Sequence, residues 1–301
     1  MRRHLTILLI LPVILFSACK KDEPAEKILD SNLSKISKAL LENSELVSRV
    51  FTDTVIQLHP GVEATEIHYL SMEGYSMRIF VLEADLKQPG VELRPLTPFA
   101  STSYGRQTVA EMLKYMQTTG VKPLFGCNGD FFNANTGEPR GIVYLNGQAI
   151  RTTMPGDTWG FFGITKTGEL VVGDSVDHDQ RKGELQHALG GRHRLVRNKV
   201  LVPQSDQTIE PRTCVGFTED KVVYFIVVDG RRFDYSNGAT FQKLGQMMVA
   251  LGVKEALNVD GGGSSSFVIN NPRADILDMR NWSSDGAPRA VANGWSIVIT
   301  N

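Results

Sequence analysis

Shifted against itself by about 132 positions, this sequence lays one half over the other without a gap. That repeat limits the fold more than any other feature. Thr108 falls on Thr240, Met116 on Met248, Gly120-Val121-Lys122 on Gly252-Val253-Lys254, and Gly129 on Gly261. The element order agrees too. Met77 to Leu86 and Val91 to Leu96 read as strands, Gln107 to Thr118 as a helix with Val109, Met112, Leu113 and Met116 on one face, and Val121 to Cys127 as a third strand. The later copy repeats this with strands over Arg212 to Phe217 and Lys221 to Val228. A helix from Thr240 to Leu251 and a strand from Val253 to Val259 complete it. Gly120 and Gly252 stop the two helices, a place that favours glycine. The pattern predicts two related β-β-α-β units about a pseudo-two-fold. Asn128 and Asp260 then stand at equivalent strand ends, and so do Thr97 and Asp229. Ligands of such sheets gather at strand ends.

Between the copies, Asn146 to Glu210 holds short apolar runs such as Trp159-Gly160-Phe161-Phe162-Gly163-Ile164 and Leu170-Val171-Val172, which read as strands and turns. Gly294 to Thr300 reads as a closing strand. The expected class is α/β in the broad sense (α+β): mixed sheets built from two β-β-α-β units, with a β-rich insertion. A chain of 301 residues suits one large domain. Its formal net charge of −1 provides no bulk field for a polyanion, so no nucleic-acid partner is expected and phosphate must be met by a few placed arginines.

The N-terminus points to export. Met1-Arg2-Arg3 is basic, Leu5 to Phe16 is apolar but short for a bilayer span, and Ser17-Ala18-Cys19 follows. Residues 1–18 read as a signal peptide, and Phe16-Ser17-Ala18-Cys19 resembles a bacterial lipobox, which implies lipidation at Cys19. Residues 19–60 read as a charged tether, Lys20-Lys21-Asp22-Glu23-Pro24, and an amphipathic helix over about 25–50. The main domain is expected over 61–301, after the turn at His59-Pro60-Gly61. The expected place is the cell envelope, on the outer membrane and open to display at the surface. Cys127 and Cys214 have no CxxC context; an oxidising compartment permits a disulfide between them, and two buried thiols is the preferred reading. His178, His187 and His193 have no partner spacing and read as structural or surface residues.

Three segments carry candidate chemistry. In Asn258-Val259-Asp260-Gly261-Gly262-Gly263-Ser264, a carboxylate at a strand end precedes glycines that allow close approach, and their N–H groups could form an anion nest. In Asp229-Gly230-Arg231-Arg232, another strand-end carboxylate is followed by an arginine able to grip phosphate. Arg212 opens a strand and reads either as a phosphate ligand or as half of a buried salt bridge. In Asn128-Gly129-Asp130-Phe131-Phe132, Asn128 offers a donor and an acceptor, Asp130 is a third carboxylate, and the phenylalanines read as core. No P-loop lysine, Gly-x-Ser-x-Gly elbow or zinc spacing occurs. A divalent cation would find hard oxygen ligands if the three aspartates converged, but no spacing demands one, so no cofactor is expected.

Together with Ala188-Leu189-Gly190-Gly191, Leu195-Val196 and Pro211-Arg212-Thr213, these segments resemble, in this order, the phosphodiester glycosidase family over roughly residues 75–300. Asp130, and the bulky Arg192-His193-Arg194, depart from the family's usual residues and bear on the choice of substrate. The resemblance implies hydrolysis of a sugar-1-phosphodiester, releasing a sugar such as N-acetylglucosamine. On that reading Asp260 and Asp229 are catalytic. Asn128, Gly129, Asp130, Arg212, Arg231, Asn258, Gly261, Gly262, Gly263 and Ser264 bind substrate. The alternatives are a glycan-binding surface lipoprotein without turnover and a structural envelope protein.

Overall fold

In the computed structural model the described residues are 27–28 and 32–300. The expected signal peptide, Cys19 and the charged tether lie outside them. In chain order, helix α1 (Lys35–Glu42) leads into strands β1 (Val47–His59), β2 (Val62–Ser71), β3 (Ser76–Asp85) and β4 (Val91–Leu96). Helix α2 (Val109–Gln117) and β5 (Lys122–Asn128) complete the first copy. The middle contains β6 (Val143–Leu145), β7 (Gln148–Arg151), β8 (Trp159–Thr165), β9 (Leu170–Gly173), α3 (Ser175–Arg181), β10 (Leu185–Arg192), β11 (Arg194–Arg197) and β12 (Val200–Leu201). The second copy follows as β13 (Arg212–Phe217), β14 (Val222–Val228), α4 (Phe241–Ala250) and β15 (Glu255–Asn258), then β16 (Phe267–Asn271), β17 (Ile276–Met279) and β18 (Gly294–Ile299).

The expected helix over 25–50 is shorter than its apolar spacing suggested. It stops at Glu42, where the Asn43 N–H caps the Ala39 carbonyl and the Asn43 side chain donates to the Ala250 carbonyl. From Val47 the β-branched residues Val47, Val50, Thr52, Thr54, Val55 and Ile56 favour a strand. Ile36, Leu40 and Leu41 bury α1 against the domain, so it is not a free spacer. His59-Pro60-Gly61 is the turn of the β1–β2 hairpin and lies inside a sheet that begins at Val47.

Three sheets form, in the orders β1-β2-β3-β14-β13-β15-β11-β12, β7-β6-β10-β8-β9 and β17-β16-β5-β18-β4. Every strand pairing is antiparallel, which corrects the expected mixed sheets and leaves the class as α+β. The three sheets enclose one core. Phe125 sits 5.2 Å from Phe225 and 4.9 Å from Phe267, and Trp295 sits 5.2 Å from Phe162, ring centre to ring centre. Burying each such ring is worth about 1.5–3 kcal/mol. Helices α1 and α4 cover the outer face of the large sheet, and α2 covers the sheet that contains β5.

The repeat is present, with one strand exchanged. Thr108 and Thr240 are both helix N-caps, and Gly120 and Gly252 both take positive φ, at 82° and 73°. In the second copy β13 lies between β14 and β15, with Cys214 flanked by Ile226 and Asn258. In the first, the middle place belongs to β18, with Ser296 flanked by Arg94 and Gly126, each 132 positions before its counterpart. Strand β3, expected to lead the first unit, instead joins β2 and β14 in the large sheet. The two units are therefore β18-β4-α2-β5 and β13-β14-α4-β15. Sequence order hid this because strand partners are chosen by long-range pairing.

Candidate active site

The two repeats meet where β5 and β15 end. The Asp260 N–H donates to the Gly129 carbonyl at 2.8 Å, and Asn128 Nδ2 donates to the Asp260 carbonyl at 2.6 Å. Asn128 Oδ1 accepts from Thr213 Oγ1 at 2.9 Å and from the Ser266 N–H at 3.1 Å. Asn128 is fully buried, so this side chain clamps the two strand ends together and is not turned toward a ligand. That corrects its expected role as a sugar ligand, while the strand-end equivalence expected from the repeat is realised as direct contact.

The carboxylate coupled to Asp260 is that of Asp130. Asp130 is 1 % exposed; its Oδ2 accepts from the Gly141 N–H at 2.6 Å and its Oδ1 has no partner. Burial pushes its pKa up to about 8, and the charge of Asp260 adds to the rise. Asp260 is partly exposed, accepts from the Gly261 N–H at 2.8 Å and bonds the Ser264 side chain. Burial pushes it up to about 6, against the pull of those bonds and of Arg289. At neutral pH the pair therefore holds a proton on the sealed Asp130 and a negative charge on the reachable Asp260.

The glycines admit neighbours from the protein itself. A Cβ on Gly261 would lie 2.6 Å from the Pro211 carbonyl oxygen, and one on Gly263 would lie 2.1 Å from the Asp285 carboxylate. Gly262 has φ of 61° and a Cβ there would meet the Arg231 guanidinium at 3.3 Å. The N–H of Gly262 donates to Pro211, that of Ser264 to Gly261, and that of Gly261 to its neighbour's carboxylate. These three donors are spent within the protein, so of the three glycines expected to form an anion nest, Gly261 and Gly262 do not offer their N–H groups. Gly129 likewise makes room for Asn293, whose Oδ1 accepts from the Asp130 N–H at 2.8 Å.

Two guanidinium groups flank the loop. Arg231 sits beside Gly262, held by Glu210 at 2.6 Å and by Ser284 at 3.4 Å. Arg289 donates to Ser264 Oγ at 3.2 Å and pairs with Asp285 at 2.7 Å. Arg289, Asp285, Asn281 and Asn293 were not singled out from the sequence. They lie on the segment between β17 and β18, which has no counterpart in the repeat and no periodicity. The available signal was an arginine and an asparagine placed just before a closing strand.

Other expected residues stand apart. Asp229 is buried and accepts from the Trp282 N–H at 2.8 Å, Asn281 Nδ2 at 3.0 Å and the Tyr235 hydroxyl at 3.2 Å. Burial pushes it up to about 6, opposed by those bonds. Asn281 links it to the Asp260 loop, donating also to the Ser265 carbonyl at 3.0 Å. Strand β13 separates β14 from β15, which sets the two strand ends roughly 10 Å apart at about 4.8 Å per strand. Asp229 thus anchors the Trp282 loop, two strand spacings from the strand end that bears Asp260. Arg212 is 8 % exposed, lies 3.8 Å over the Phe241 ring and donates to the carbonyls of Ala239 and Thr208. Backbone carbonyls and the Phe241 ring hold its guanidinium in place of the buried salt bridge that was one reading of it. Asn258 is buried with both side-chain polar atoms unpartnered.

Among the described residues no group of three metal-ligating side chains converges. Cys127 and Cys214 are free and buried. His178 meets the Tyr144 hydroxyl at 2.9 Å, His187 Nδ1 accepts from the Asn146 N–H at 3.2 Å, and His193 lies 4.3 Å from the Phe241 ring.

A phosphodiester glycosidase family model matches residues 122–298, which spans both Asn128-Gly129-Asp130 and the Asp260 loop. The chain belongs to the phosphodiester glycosidase family. It is 27% identical over 202 residues to the N-acetylglucosamine-1-phosphodiester alpha-N-acetylglucosaminidase of Bos taurus, a match covering 60% of this chain and 37% of that protein. The Homo sapiens protein of the same name is 26% identical over 167 residues, 49% of this chain and 32% of that one. The chain thus spans about a third of the length of the curated relatives it matches. Among solved structures, the zebrafish N-acetylglucosamine-1-phosphodiester alpha-N-acetylglucosaminidase catalytic domain, auto-inhibited by its pro-peptide, has a TM-score of 0.62 at 21% identity, covering 82% of this chain and 87% of that one. A Synechocystis protein has a TM-score of 0.60 at 12% identity, covering 83% and 64%. These structures share the fold of this family member.

Proposed function

We propose that this phosphodiester glycosidase hydrolyses the bond between an anomeric carbon and the oxygen of a phosphodiester, giving a free sugar and a phosphomonoester. The observation that carries the reading is the Asp260–Asp130 pair beside a glycine loop flanked by Arg231 and Arg289. A phosphate leaves readily, so the site has less need of strong protonation than an ordinary glycosidase. It needs a negative group facing the developing oxocarbenium ion and positive groups on the departing phosphate. Asp260, reachable and ionised in part near neutral pH, fits the first requirement. Arg231 and Arg289, both partly exposed, fit the second. Asp130 holds the pair to a single charge. As the C1–O bond breaks, the bonding electrons leave with the phosphate, and water supplies the new oxygen at C1 and releases a proton.

N-acetylglucosamine is the first sugar to test, because the curated relatives are named for it. The chain would act at the cell envelope, held by a lipid on Cys19. Incubation of the purified protein with an N-acetylglucosamine-1-phosphodiester, followed by phosphorus NMR, is the test. A phosphomonoester appearing in step with free sugar is the expected result. An unchanged diester across a panel of sugars would sink the hydrolase reading and leave a glycan-binding protein.

A further inference from the structure

Two hollows adjoin along β4, the edge strand of its sheet. The inner one, about 200 Å³, lies against α2, and Leu96, Met112, Met116, Val121 and Leu145 make it chiefly apolar. Thr119, at its rim, has spent its hydroxyl on the Met116 carbonyl at 2.7 Å. The outer one, about 530 Å³, opens between β4 and the paired strands β8 and β10, with Arg94, Lys166 and Lys221 on its wall. Arg94, Asn146 and His187 line both, so the two form one groove. None of its lining residues belongs to the Asp260 loop or to the arginines beside it.

The junction is polar and fixed in place. His187 is buried, and its Nδ1 accepts the Asn146 N–H at 3.2 Å, so its proton sits on Nε2, the nitrogen left for a ligand. Burial and the Arg94 charge keep the ring neutral, with its pKa pushed down to about 4. Glu92 steadies Arg94 from one oxygen, 2.9 Å from Nε and 2.7 Å from Nη2, and its other oxygen accepts from Thr300 at 2.6 Å. Three cations on the outer wall thus face a single carboxylate that is already engaged. A peptide strand added to β4 would find few donors. The Thr300 N–H donates to the Gly90 carbonyl, which sets residues 92, 94 and 96 toward β18 and 91, 93 and 95 outward. Pro95 has no N–H, and that of Val91 goes to the Gln88 carbonyl, so of these three only Leu93 has one to give.

We propose that this groove binds a medium-chain carboxylate, with its alkyl chain among Met112, Met116 and Leu145 and its head group on Arg94 and the His187 Nε2–H. A small amphiphilic anion matches both parts of the groove at once. Methionine side chains repack easily around a flexible chain. A methylene fills about the volume of a water, roughly 30 Å³, so the inner hollow takes about six of them. The carboxylate replaces its water shell with a guanidinium and a ring N–H, a charge-assisted pairing. The site stands apart from the hydrolase reading and does not depend on it.

The test is an NMR titration of protein carrying carbon-13 in its methionine methyl groups, with butanoate, hexanoate and octanoate as ligands. The Met112 and Met116 signals, assigned from Met112→Leu and Met116→Leu, should move saturably. Kd should tighten about fourfold for each methylene added. Octylammonium should leave both signals in place. Arg94→Gln should weaken octanoate binding by about tenfold, the loss of one charged hydrogen bond. Met116→Trp, at a half-exposed position on α2, should fill the hollow and erase the dependence on chain length. Urea midpoints without ligand show that each variant is folded; if Arg94→Gln is not, Met116→Trp and the chain-length series still decide. Signals that stay put with octanoate, equal affinities for the three acids, or octylammonium binding as tightly as octanoate would overturn the proposal. So would undiminished octanoate affinity in folded Arg94→Gln or Met116→Trp.

Discussion

Replacing Asn128 by alanine separates a clamp from a ligand. The wild-type side chain is fully buried and bonds the Asp260 carbonyl, the Thr213 hydroxyl and the Ser266 N–H. Thr213 Oγ1 also lies 3.3 Å from Ser265 Oγ, so it keeps a partner after the substitution. The Asp260 carbonyl and the Ser266 N–H lose the bond that Asn128 gave them. A buried group left unpaired costs about 1–3 kcal/mol, so Asn128→Ala should destabilise the fold by about 3 kcal/mol. That is a large share of the roughly 5–15 kcal/mol that holds a domain together. Urea unfolding followed by circular dichroism measures it as a lower midpoint with an unchanged slope. Because the clamp fixes the strand end that bears Asp260, turnover should fall as well, through kcat more than KM. A loss of stability below about 1 kcal/mol together with a raised KM would refute the reasoning and restore Asn128 as a substrate ligand.

Other expectations follow from the same geometry. Asp130 has its pKa in the folded state raised from 3.8 to about 8. The folded state therefore holds a proton that the unfolded state has lost, and stability should fall as pH rises through that window. In Asp130→Asn the urea midpoint should be flatter from pH 5 to 8, and a slope as steep as the wild type's would count against the burial of that carboxylate. Arg289→Ala should lower kcat/KM on a sugar-1-phosphodiester by about tenfold or more, as one charge-assisted phosphate contact is lost; an unchanged value would remove Arg289 from the clamp. Cys19→Ala should move the protein from the membrane fraction to the soluble exported fraction and abolish labelling by a clickable fatty acid; retained label would exclude that cysteine as the anchor.

The sequence showed the parts of the fold that are written locally. Thr108 with Thr240 and Gly120 with Gly252 are caps and stops whose chemistry acts within a few residues, so two copies could be aligned by eye. The exchange of β3 for β18 was hidden because either strand could fill the middle place, and the pairing that decides it spans most of the chain. The same limit applied to the site. Asp229 and Asp260 looked like partners because both end strands of one copy, yet β13 holds those ends two strand spacings apart. Asp130 is the nearer carboxylate because the copies face each other at the Gly129–Asp260 bond. The triple glycine was legible as a place of close approach, but what approaches is Pro211, Arg231 and Asp285. The last of these sits on a segment with no periodic signal.

The central claim is that Asp260 is the carboxylate that carries turnover. Phosphorus NMR on an N-acetylglucosamine-1-phosphodiester, run side by side on the wild type and on Asp260→Asn matched for circular dichroism and urea midpoint, tests it most directly. The expected result is conversion to phosphomonoester by the wild type and a rate lower by at least about a thousandfold, roughly 4 kcal/mol, in Asp260→Asn. Near-normal turnover by the folded variant would contradict the account.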